Sequence, residues 1–237
     1  MKKALFAGAM LLAGSSGSWA QAPLLPHPEF CSLSQSVVGN VLGQLHSVVQ
    51  SGNGGLFTPN RMWAAVVDRK GVLCDVVRSD PDAWPGSRAI AIAKANTANA
   101  FSSHTLALST AMLYGPTQPG GSLYGLNNSN PFNPMFNAQD TGVRFADGGI
   151  ITFGGGVALY SNGQVIGGLG VSGDTSCADH AVAYRMRAQA GLNVTPNVDN
   201  ISYYIGAGPG GVITSSVQVD PSQFKQPHCL GAQDVTP

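Results

Sequence analysis

The feature that most constrains this chain is a β-hairpin near its first third. Met62–Asp68 and Val72–Val77 are apolar runs, and Asp68-Arg69-Lys70-Gly71 between them reads as a turn. Two strands joined this tightly pair antiparallel. Later segments repeat the pattern. Ile150–Phe153, Val157–Tyr160 and Val165–Val171 read as short strands, with Ser161-Asn162-Gly163 as a hairpin turn. Ile201–Ile205 reads as a further strand. Gly154-Gly155-Gly156 interrupts the run, permitting a bulge or the close approach of another group.

Helical spacing surrounds these strands. Leu33, Val37, Val38, Val41, Leu42, Leu45, Val48 and Val49 recur along residues 31–50, before Ser51-Gly52-Asn53-Gly54-Gly55 ends the helix. Ser87 is placed to cap a helix reaching Phe101. A short helix is expected over Leu106–Leu113. Ser176 and Asp179 have capping-box spacing for a last helix that runs to Ala190 and stops at Gly191. The expected fold class is α/β (α+β), with an antiparallel five-stranded sheet flanked by helices and no internal repeat.

Export is written at the beginning. Lys2 and Lys3 precede an apolar run from Ala4 to Ala13, then the small residues Ser15 to Ala20. This order reads as a secretory signal over residues 1–20, cleaved near Ala20-Gln21, with a periplasmic or secreted destination. About ten apolar residues are too few to cross a membrane that needs roughly 20. The remaining residues, 21–237, suit one large domain or two small ones by length. The expected organisation is a single domain with a core over 31–206 and an irregular tail over 207–237. Within the core, residues 115–149 are dense in Gly, Asn and Pro, yet carry Leu123, Tyr124, Leu126, Phe132, Met135 and Phe136. That content suits an extended loop packed as a lid or an oligomer contact. Charged residues are only 10% of the chain and balance to zero. No basic run exists to meet nucleic acid.

Four scattered cysteines, Cys31, Cys74, Cys177 and Cys229, read as disulfides in an oxidising compartment, with three pairings open and a zinc site as the alternative.

The residues that could carry chemistry cluster in two places. Lys94 and Thr97 share a stripe with Ile90 and Phe101. A snorkelling lysine and a threonine bonded to its own helix would explain them without function. Gly168-Leu169-Gly170-Val171-Ser172-Gly173 fits a dinucleotide fingerprint, but the neighbouring strands form hairpins rather than a βαβ unit. What remains is a glycine turn entering a helix N-terminus, suited to an anion or to close packing. His180 follows in the first turn of that helix, with Tyr184 and Arg187 on its side. A helix N-terminus favours a neutral imidazole, which can ligate iron. A surface histidine bonded locally is the ordinary alternative.

Together, "WAAVVDRKGVLCDV", "SRAIAIAKANTANAF", "FGGGVALY" and "IGGLGVSGDTSCADHA", in this order, resemble the GlcG/HbpS-like haem-binding proteins in their longer exported form. The resemblance spans roughly residues 31–192. It implies helices and strands in the order α-β-β-α-α-β-β-α, self-association as a homo-oligomer and, for some members, binding or breakdown of haem. It also implies the pairings Cys177–Cys229 and Cys31–Cys74. The expected ligand is a tetrapyrrole such as haem, or a related organic molecule. Its site would lie between Lys94, Thr97, the glycines Gly168, Gly170 and Gly173, His180 and Tyr184, with His180 the candidate metal ligand. That expectation requires the helices carrying Lys94 and His180 to converge on one pocket. Two other readings compete: an enzyme using Lys94 with His180 or Asp179 on a small oxidised organic substrate, and an oligomeric accessory subunit of a periplasmic redox system.

Overall fold

The computed structural model describes residues 30–129, 149–194, 198–204 and 220–229. The expected signal over residues 1–20 and residues 130–148 of the expected loop segment lie outside them. Eight elements follow in order: α1 (Gln35–Gly43), α2 (Leu45–Val49), β1 (Trp63–Asp68), β2 (Leu73–Arg78), α3 (Pro85–Phe101), β3 (Gly156–Ser161), β4 (Gln164–Ser172) and α4 (Ser176–Gln189).

The strands form one antiparallel sheet in the order β2-β1-β4-β3. It has four strands among the described residues, one fewer than expected. Ile150–Phe153 does not join it, because its backbone is used elsewhere: Ile151 N donates to Thr97 Oγ1 at 3.0 Å. Tyr203 forms an isolated bridge to Gln226 rather than joining the sheet, and Ile205 lies outside the described residues.

Side chains alternate across the sheet, as a period of two requires. Ala64, Val66, Leu169 and Val171 face α1, α2 and α4 in the main core. Trp63, Ala65 and Val67 face Ala91, Ile92 and Ala95 of α3. The helices bearing Lys94 and His180 therefore pack on opposite faces of the sheet, against the expectation that they flank a common pocket.

Local signals explain most ends. Both hairpin turns use residues suited to positive φ: Gly71 (83°) in the first, Asn162 (50°) and Gly163 (73°) in the second. The carboxylate of Asp68 accepts from Lys70 N and Val72 N within its turn, and from Ser32 N and Oγ, tying the lead into α1 to the hairpin. Cys31–Cys74 closes the same junction covalently.

Several sequence expectations shift. The first helix breaks at Gln44 into α1 and α2. α3 starts at Pro85 rather than being capped by Ser87, because proline suits a first helical position that needs no N–H partner. Residues 106–109 are irregular and 110–113 form turns, not a helix, and Thr110 N donates instead to Gly156 O. Thr175, not Ser176, caps α4 by accepting from Ala178 N.

Candidate functional site

Lys94 leaves the middle of α3 and reaches past the end of β4. Its Nζ donates to Val171 O at 3.1 Å and to Asp179 Oδ2 at 2.6 Å. Asp179 belongs to α4, so this ion pair joins helices that the sheet otherwise separates. Lys94 does not snorkel; it is fully buried, with its ammonium 4.8 Å from the centre of the Phe153 ring. Burial lowers the Lys94 pKa, opposed by Asp179. Burial likewise pushes the Asp179 carboxyl up to about 6, opposed by Lys94.

The glycine triplet makes this crossing possible. A Cβ on Gly155, whose φ is 122°, would lie 2.8 Å from Lys94 Nζ and 2.9 Å from Asp179 Cβ. A Cβ on Gly154 would strike Ser176 O and lie 3.0 Å from His180 Cβ. Sequence reading registered the triplet as an approach point without naming what approaches.

The other predicted residues are placed as follows. Thr97 Oγ1 donates to Ala93 O at 2.7 Å, the local helix bond foreseen as its ordinary role, and accepts from Ile151 N. Gly168 and Gly170 lie against the backbone of α3, where any Cβ would strike Ala95 O and Ala91 O respectively. Gly173 is pressed against Arg61 O. The glycine character of Gly168 and Gly170 therefore follows from helix-to-sheet packing, and that of Gly173 from close approach of the chain leading into β1.

His180 stands apart from these. It is fully buried, not a surface residue, and both its ring nitrogens lack a hydrogen-bond partner. Burial pushes its pKa down to about 3, with Asp199 raising it and Arg187 and Lys94 lowering it further. The imidazole is therefore neutral. The Tyr184 ring lies 5.9 Å away, one turn along α4. Arg187 stacks its guanidinium 4.9 Å from that ring. It also grips Asp199 through two hydrogen bonds, of 2.6 and 2.7 Å. The Arg187–Asp199 pair was missed from sequence; the place of Arg187 on the helix side of His180 and Tyr184 was its only signal.

Among the described residues no cluster of three or more His, Cys, Asp or Glu side chains could hold a metal ion, and no helix is long and apolar enough to cross a membrane. The cysteines pair as the resemblance implied, Cys31–Cys74 and Cys177–Cys229.

Comparison with known proteins fits this architecture. Residues 58–188 match the family described as haem-degrading protein HbpS-like. The corrinoid adenosyltransferase PduO of Citrobacter freundii is 35% identical over 124 residues, which are 50% of this chain and 30% of that protein. The chain thus spans less than a third of that relative's length. An uncharacterised 15.0 kDa protein of the same organism is 35% identical over 119 residues, 68% of its length. Among solved structures, a PduOC–haem complex aligns at a TM-score of 0.50 and 28% identity, covering 66% of this chain and 94% of that one. The Klebsiella pneumoniae protein ORFY aligns at a TM-score of 0.52 and 24% identity, covering 72% and 98%. A four-stranded antiparallel sheet with its flanking helices, read together with a match over more than half of its residues, makes this chain a member of the HbpS-like family.

Proposed function

We propose that this protein binds haem or a related tetrapyrrole, with His180 as the iron-binding side chain, in an oxidising compartment outside the cytoplasm. The observation that carries the reading is the alignment with PduOC, a relative crystallised with haem, over 94% of its chain. Family membership and the two disulfides support it.

The donor chemistry of His180 fits such a group. Haem iron accepts a neutral imidazole nitrogen, and here both nitrogens are neutral and unpartnered. Lys94, Thr97 and the glycines fit less well, because each is already committed to Asp179, to Ala93 and Ile151, or to the backbone of α3 and Arg61. Tyr184, beside His180, would supply an aromatic wall. When bound, haem would supply an iron centre open to redox or ligand chemistry; the chain's part is to offer the imidazole and exclude water around it.

Absorbance titration with haemin tests the reading, using the full chain in its oxidised and thiol-reduced forms. A saturable, one-to-one shift of the Soret band in at least one form is expected. A band that grows without saturation in both forms overturns it.

A further inference from the structure

Cys177, His180, Tyr184 and Arg187 are spaced three, four and three residues apart, so they line one stripe of α4. Both ends of that stripe are fastened to residues that follow the helix. Cys177 is bonded to Cys229 and clusters with Ile201 and Tyr203. Arg187 is paired with Asp199. Gln226 ties the same covering to the glycine triplet: its Oε1 accepts from Gly154 N at 2.9 Å, and its Nε2 donates to Ser176 Oγ at 3.2 Å. The covering runs also hold each other, through Gln226 N to Ser202 O and Tyr204 N to Gln226 O. The covering residues, Asp199 to Tyr204 and Gln226 to Cys229, lie beyond position 188, where the family match ends.

We propose that residues 199–204 and 220–229 form a strap over the His180 stripe, latched by Cys177–Cys229 and released by a dithiol reductant. The proposal concerns access to the site proposed above and takes its purpose from that reading. Enclosing a polar group without a partner is unfavourable, and His180 has two such nitrogens. That cost points to a second state in which the stripe is open and the nitrogens are used.

The latch is suited to exchange. Cys229 is half-buried whereas Cys177 is buried, so an attacking thiolate reaches the Cys229 sulfur first. The S–S bond breaks, a mixed disulfide forms at Cys229, and Cys177 leaves as a thiolate. It leaves into the first turn of α4, where the helix N-terminus favours negative charge. The second thiol of the reductant then closes its own disulfide and frees Cys229. Two electrons and two protons pass from the dithiol, and two protein thiols result. The Arg187–Asp199 pair keeps the other end of the strap attached.

Modification of the full chain by diethyl pyrocarbonate, mapped by mass spectrometry, measures access to His180 without haem. The latched protein should leave His180 unmodified. The Cys177→Ser/Cys229→Ser variant, and the wild-type chain after reduction, should raise its modification rate about tenfold or more, as local opening requires. Amide exchange in β1 and β4 should stay slow in both, and Cys31→Ser/Cys74→Ser should leave His180 protected. Unchanged protection after release overturns the strap. So does a rise that accompanies loss of β1 and β4 protection, since that is unfolding. If His180 opens yet haemin does not bind, the strap stands and the haem reading falls. If haemin binds latched and released protein equally, the strap falls and the haem reading stands.

Discussion

Lys94 Nζ lies 2.6 Å from Asp179 Oδ2, although the two side chains come from helices on opposite faces of the sheet. This bond crosses where β3 begins, beneath a glycine that leaves the ammonium room. It is a structural cross-brace between the two layers, and its consequences are measurable.

Replacing Lys94 by Met leaves a buried carboxylate without its cation. A loss of about 3–5 kcal/mol in chemical denaturation is expected. Lys94→Met/Asp179→Leu should recover most of it, since no charge is then left buried. A single variant as stable as wild type would show that the pair does not brace the fold.

Two buried groups act on acid stability with opposite signs. The folded-state pKa of Asp179, about 6, lies above its ordinary 3.8. Between those values the folded state holds the extra proton, so this group adds stability as pH falls from 6 toward 4. The folded-state value of His180, about 3, lies below its ordinary 6.5. There the unfolded state takes the proton, so stability falls as pH drops below 6.5. Guanidinium unfolding at pH 7 and pH 5 separates the two. Relative to wild type, His180→Leu should gain stability on acidification by about 2 kcal/mol, and Asp179→Asn should lose it.

The glycines divide by what surrounds them. Gly170→Ala drives a methyl into Ala91 O and should cost about 1–3 kcal/mol or more. Gly39, in α1, has open space around its Cα, so Gly39→Ala should raise stability by up to about 1 kcal/mol through helix propensity. Thermal unfolding of both variants checks the contrast.

The Cys31–Cys74 bond closes a span of 43 residues between the lead into α1 and β2. Removing it as a Ser pair should cost about 2–5 kcal/mol. Haemin binding should not change, because neither sulfur lies on the α4 stripe. A parallel loss of binding would tie the site to the hairpin instead.

Much of the fold is legible in local sequence. The hairpin at 62–77, the Asn162-Gly163 turn and the Gly191 stop each state their geometry within a few residues. Other features depend on partners far along the chain. Residues 106–113 are expected to be helical, yet they form an irregular run and turns, and Thr110 N donates to Gly156 O. Ile150–Phe153 has strand character, but Thr97 takes its Ile151 N–H. Asp179 stands 85 residues from Lys94, and no local pattern joins them. The sequence marked His180 as a neutral imidazole at a helix start. That it is enclosed with both nitrogens unpartnered follows from tertiary packing, which no local pattern states.

The most direct test is whether His180 supplies the imidazole. Haemin is titrated into the Cys177→Ser/Cys229→Ser chain and into the same chain carrying His180→Gly, with and without added imidazole. The account predicts a one-to-one Soret shift in the first. In the second, affinity should fall tenfold or more, a loss of about 1.4 kcal/mol, and added imidazole should restore it. Equal affinity and identical spectra for the two chains would contradict it.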